Sequence, residues 1–279
     1  MPHRLFLDWL GGPRLLETIF AIRALGVPPD GSAPESLTQP PLNSTAASLH
    51  DLRTASSREW RWVPLNKIRS FRAQVFSADH HPWSRYLRDG LGGMEEFFEL
   101  DTPQTPEEYL FIREELFVIP DGSRQPISAR VWPWATSVAT LPEPPFFPYW
   151  RAGPKTKRHM LDQAERLDKI LKSVQKRGYI IRQDKLPWYS ILLNDRDRES
   201  EEYRVLVTHG NHRVAILAHL GWELIPMAPL PTMLTNEVRL SQASSWPGVL
   251  DGSYSIDNAT AAFLAFFRDA EDKILPGLD

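Results

Sequence analysis

The sequence predicts an α/β (α+β) protein with a mixed sheet and packed helices. Three observations carry this. "YRVLVT", Tyr203–Thr208, is an apolar run of the kind that forms a strand buried on both faces. An apolar helix, residues 211–220, follows it at once, and Trp222–Met227 returns as a short strand. Upstream, "KTKRHMLDQAERLDKILKSVQKRGY" repeats Met160, Ala164, Leu167, Leu171 and Val174 at helical spacing.

In chain order, residues 4–26 read as a helix, with Leu15, Ile19, Ile22 and Leu25 on one face. Residues 28–58 are rich in Pro, Ser, Thr and Ala and read as a linker or loosely held arm. "WRWVPLNKIRSF", Trp60–Phe71, reads as the first strand of the main domain. Residues 84–100 and 106–117 read as short helices. The second has Thr105 as N-cap, Pro106 at its first position and Glu108 at its third. Residues 120–154 are Pro- and aromatic-rich and read as strands and ordered loops. The helix before Gly178 ends where a C-cap glycine belongs. Residues 188–193 and 203–208 form two strands around the charged "NDRDRESEE", a solvated hairpin. A last helix lies in "SIDNATAAFLAFFRDAEDKIL", capped by Ser255 or Asp257. The domain organisation is then an amino-terminal helical segment (1–27), the linker (28–58), a main domain (59–230) and a carboxy-terminal extension (231–279).

Composition excludes several classes of function. The 279 residues contain no cysteine, so disulfides, thiolate metal sites and cysteine nucleophiles are absent. The net charge is -3, without the basic footprint of a nucleic-acid binder. Asp8 and Glu17 interrupt the early apolar run, so no signal peptide is expected, and no segment reaches the about 20 apolar residues of a membrane span. A cytoplasmic location is the expectation.

The segment with most chemistry is the turn "THGNHRV". Residues 209–213 join a strand to a helix, where unpaired amides and the helix dipole favour an anion. Gly210 lets the backbone bend, Arg213 offers planar donors that match phosphate oxygens, and His212 adds another donor. The competing reading has Arg213 paired with a surface carboxylate and the histidines merely capping the helix. No metal-ligand triad at familiar spacing is present. His80 and His81, in "ADHHPW", read as surface-loop residues, and Trp246 as a packing anchor.

Strand, Gly-x-His-Arg, then "VAILAHLGWELIPM" resembles the central motif of the ParB amino-terminal/sulfiredoxin superfamily. The matching positions are Gly210, Asn211, His212, Arg213, Leu220, Gly221, Ile225 and Pro226. "LDKILKSVQKRGY" resembles the preceding helix, and "WVPLNKI" resembles the opening strand more faintly. The resemblance implies a ParB/sulfiredoxin-like mixed sheet and a turn at Gly210, Asn211, His212 and Arg213 that binds nucleotide phosphates. Sulfiredoxins carry their catalytic cysteine where Asn211 stands, so that chemistry is excluded. Kinase-like members carry Asp where this chain has His209, so another carboxylate must serve. Glu165 is that candidate, and Glu165 and His209 are the expected catalytic residues.

The resemblance implies a nucleotide-binding protein, with a nucleotide-dependent phosphotransferase as the first expectation. Its cofactor would be ATP or CTP with Mg²⁺, and its acceptor a small polar or sugar-like (carbohydrate) substrate. The alternatives are a non-catalytic nucleotide-binding switch or scaffold and a ParB-like DNA-associated protein. The acidic balance makes nucleic acid the least favoured partner.

Overall fold

The protein is described from a computed structural model covering residues 35–56, 59–77, 80–99, 132–134, 157–182, 185–195, 202–230 and 236–268. The expected helices at 4–26 and 106–117, most of the 120–154 segment and the hairpin tip lie outside the described residues.

The centre is a mixed sheet of six strands. Along it run β2 (Arg61–Pro64), β7 (Leu224–Pro229), β5 (Trp188–Asn194), β6 (Tyr203–His209) and β3 (Ile68–Arg69). β8 (Asn236–Arg239) extends along β5, beside Ile191–Asn194. β5 and β6 are antiparallel, as a hairpin requires, while β6 runs parallel to β3 and β7 parallel to β5. A separate antiparallel pair joins β1 (Glu35–Leu37) to β4 (Tyr179–Ile181).

β6 is interior, between β5 and β3. Val205, Leu206 and Val207 are all fully buried. Each such side chain contributes about 1.5–3 kcal/mol relative to exposure. Alternation along the strand sends them to two cores. Val205 and Val207 join Val63, Ile225, Val214 and Leu217. Leu206 joins Leu193, Val238, Trp246 and Phe263. The continuous apolar run therefore means two covered faces.

Seven helices are described. α1 (Leu49–Thr54) is capped by Ser48, whose hydroxyl accepts from the Asp51 amide. α2 (Pro82–Asp89) and α3 (Leu91–Glu99) divide at Gly90 the single helix expected near 84–100. α4 (Lys157–Arg177) lays Met160, Ala164 and Leu167 against Ile216 of α5 (Asn211–His219). α5 is apolar on both sides, Val214 and Leu217 inward and Ile216 outward, because α4 covers its outer face. α6 (Pro247–Leu250) and α7 (Ile256–Leu264) build the second core, and Ser255 caps α7 as expected.

Three expectations change. Trp60–Phe71 is not one strand. A 3-10 turn at Leu65–Lys67 separates β2 from β3, and the two pair with different strands. The 28–58 segment, where described, is not a loose arm. Leu52 is fully buried, and Tyr189 Oη donates to its carbonyl at 3.0 Å. Tyr203 Oη donates to the carbonyl of Ala47. Two buried strand tyrosines thus hold α1 on the sheet. Finally, residues 236–268 are not an appendage: β8 is a strand of the central sheet, and α7 covers one of its faces.

Candidate functional site

β6 ends at His209, and Gly210 starts α5 with φ +92°. That left-handed backbone favours glycine. A Cβ there would also lie 2.8 Å from Pro187 Cα. Pro187, which precedes β5, thus occupies the space that the missing Cβ leaves. Arg213 N reaches back to the Gly210 carbonyl at 2.8 Å, so its amide is already committed. The Asn211 and His212 amides precede the first intrahelical bond, and no side chain caps this end. α1, α2 and α7 each have a side-chain cap.

The α5 N-terminus opens into a cleft of about 330 Å³. Four parts of the chain line it. The turn supplies His209, Gly210, Asn211, His212 and Arg213. The segment after β3 supplies Arg72 and Gln74, the start of α2 supplies His81 and Trp83, and α4 supplies His159, Gln163 and Arg166. Among the described residues, its lining holds three arginines and no carboxylate. With the positive end of α5, the field in the cleft favours an anion.

The helical period explains which α4 residues arrive. His159, Gln163, Arg166 and Ile170 follow at steps of four, three and four, one narrow face beside the buried stripe. Glu165 lies about 200° around the helix from Gln163. Its side chain is 63% exposed and pairs with Lys169 at 2.5 Å, which lowers its pKa. Glu165 is therefore not the carboxylate of this site, contrary to expectation. Asp162 is exposed too. His209, Gly210, Asn211, His212 and Arg213 do come together, at the cleft.

His212 is held on two sides. Its Nε2 lies 2.9 Å from Gln163 Oε1, and Trp83 stacks on its ring at 4.7 Å with planes 14° apart. Burial first, then the Arg166 and Arg213 cations, pull its pKa down to about 3. It is neutral at pH 7, and because the amide oxygen of Gln163 only accepts, Nε2 carries the proton in this bond. His81 is 3% exposed, not a surface-loop residue. Its Nδ1 accepts from Trp83 N at 3.3 Å as the α2 cap, and its ring stacks on Phe76 at 4.3 Å. Burial lowers its pKa to about 3, helped by nearby His212. His209 is the exposed member, and its ring rests against Trp188 at 5.3 Å. Crowding by protein atoms, then Arg213 and Arg166, bring its pKa down, to about 4. Its solvent exposure weakens the crowding effect, so the direction is what matters: neutral at pH 7.

Sequence reasoning missed Arg72, Gln74, His81, Trp83, Gln163 and Arg166. A signal existed for two of them, since Gln163 and Arg166 flank the apolar stripe of α4 at its own spacing. Arg72 and Gln74 lie in an irregular segment with no period to follow.

No group of three His, Asp or Glu side chains that could hold a metal occurs among the described residues, and no described helix is long and apolar enough to cross a membrane. Comparison with family models, curated proteins and solved structures finds no match.

Proposed function

We propose that the chain binds a nucleotide in this cleft through its phosphates. The observation that supports this best is the uncapped N-terminus of α5, open to a cleft that Arg72, Arg166 and Arg213 line from three separate parts of the chain. Helix amides and guanidinium groups are the donors that suit phosphate oxygens. The stacked pair of Trp83 and His212 supplies an aromatic wall suited to a base. The resemblance to the ParB/sulfiredoxin motif implies the same role for this turn.

Between the two modes of use, the position of Glu165 favours a nucleotide-binding switch over a kinase with Glu165 as base. Its carboxylate is engaged by Lys169, away from the cleft lining. A sugar-like acceptor gains no support from a named contact.

The test is calorimetric titration with ATP and CTP, with and without Mg²⁺. At ligand about 100-fold above Kd, the protein gains roughly 2.7 kcal/mol of stability. Arg213→Ala weakens binding about tenfold or more, since a charge-assisted contact is lost. Parent protein that binds neither nucleotide would refute the proposal.

A further inference from the structure

Resting on the reading that the cleft holds nucleotide phosphates, we propose that His209 accepts the terminal phosphoryl group of the bound nucleotide, making a phosphohistidine one state of the switch. His209 is the last residue of β6 and adjoins the N-terminus of α5. It lines the same cleft as Arg166 and Arg213. A second observation is an unpartnered buried donor in the wall of this cleft. Gln74 lines it, is only 4% exposed, and its Nε2 donor has no hydrogen-bond partner among the described residues.

Four histidines line the cleft; His159 comes from α4, and the three at or packed against the turn differ in what their rings are free to do. His212 is tied to Gln163 and covered by Trp83. His81 is buried, with Nδ1 used as a helix cap. His209 is exposed, and its ring makes no hydrogen bond among the described residues. Trp188 backs it and restricts its plane. The same crowding and cations that depress its pKa keep it neutral, which is the nucleophilic form.

In the step, the unprotonated ring nitrogen of His209 attacks the terminal phosphorus of a nucleoside triphosphate. The N–P bond forms and the bridging P–O bond breaks. The bridging electron pair leaves with the nucleoside diphosphate, and the proton on the other ring nitrogen passes to solvent. Arg166 and Arg213 stand where they neutralise the charge on the transferring oxygens. Attack by water on phosphorus would later break the N–P bond, release inorganic phosphate and restore the imidazole. No carboxylate base is needed, because the neutral imidazole brings its own lone pair.

The experiment incubates the full chain with γ-³²P-labelled ATP or CTP and Mg²⁺, with binding of the unlabelled nucleotide measured in parallel. The expected label is acid-labile and alkali-stable, and peptide mass spectrometry places it on His209. His209→Gln loses at least 90% of it, with folding checked by circular dichroism. Glu165→Gln, outside the cleft, keeps the parent's labelling. If the His209 variant fails to fold, peptide mapping of the parent decides alone. Nucleotide binding without label, an acid-stable label, or label on another residue overturns the phosphohistidine and leaves the binding site standing. Absence of any nucleotide binding overturns both.

Discussion

His212 Nε2 donates to Gln163 Oε1 across 2.9 Å, and this bond ties the first turn of α5 to the second turn of α4. It also sets the histidine tautomer in a cleft lined by three arginines. Gln163→Glu would put an acidic group against His212 and inside the cleft proposed to hold phosphates. The His212 pKa should then rise from its depressed value, because an adjacent carboxylate favours the imidazolium. Nucleotide affinity should fall by about tenfold, since like charges repel. NMR titration of the His212 ring and calorimetry read the two effects. An unchanged Kd would place the phosphates elsewhere.

Gly210→Ala is expected to destabilise the fold strongly. A left-handed residue other than glycine costs about 1–2 kcal/mol. The new Cβ would also lie 2.8 Å from Pro187 Cα, a backbone atom without room to yield. The total should exceed 2 kcal/mol, measured as a lower urea midpoint at constant slope. A loss below 1 kcal/mol would mean that β5 shifts easily.

Acid should weaken the protein, and His81 should carry part of the effect. Its folded pKa of about 3 lies below the usual value of 6.5. Between those two values the unfolded chain binds a proton that the folded one does not, so stability falls as pH drops from about 6.5 towards 3. One such group gives a slope of about 1.4 kcal/mol per pH unit across the middle of that window. His81→Asn keeps an α2 cap and removes the titration. Its unfolding free energy should depend less steeply on pH between 6 and 4. An unaltered slope would show that His81 is not the group responsible.

The tyrosines over the 47–54 segment should act as anchors. Tyr189→Phe removes the donor to the Leu52 carbonyl, and Tyr203→Phe the donor to that of Ala47. Each should cost about 1–2 kcal/mol, because a buried carbonyl loses its partner. Leu52→Ala should cost more, about 2–5 kcal/mol, from the cavity at a fully buried site. Limited proteolysis should cut residues 38–56 faster in all three. Equal cutting rates in parent and variants would show that this segment is held by something else.

Much of the fold was legible in the sequence because local period carries it. The α4 stripe and its Gly178 terminator are regular patterns, and each produced the expected element. Gly178 proves to be needed twice over. It has φ +72°, and a Cβ there would lie 2.6 Å from Ser36 Oγ. Only the first reason is local. The two covered faces of β6 could also be foreseen from Val205–Val207, since an exposed face would have shown polar alternation.

The turn at 209–213 was legible for the same reason: a strand, a glycine and a helix start are neighbours in sequence, and their donors follow from backbone geometry. The rest of the cleft was decided by tertiary structure. Arg72 and His81 reach the turn from segments about 130 residues away, and no local pattern encodes such a meeting. The resemblance points to Glu165 as the carboxylate of the site, yet the helix rotation that buries Met160, Ala164 and Leu167 turns Gln163 and Arg166 to the cleft and Glu165 to solvent. Burying the apolar stripe outweighs any preference of one exposed carboxylate. The sequence by itself determined where a strand-to-helix turn with unpaired amides would form. Only the packing of α4 and α2 around that turn decided that its described lining would be arginine, neutral histidine and amide, without a carboxylate.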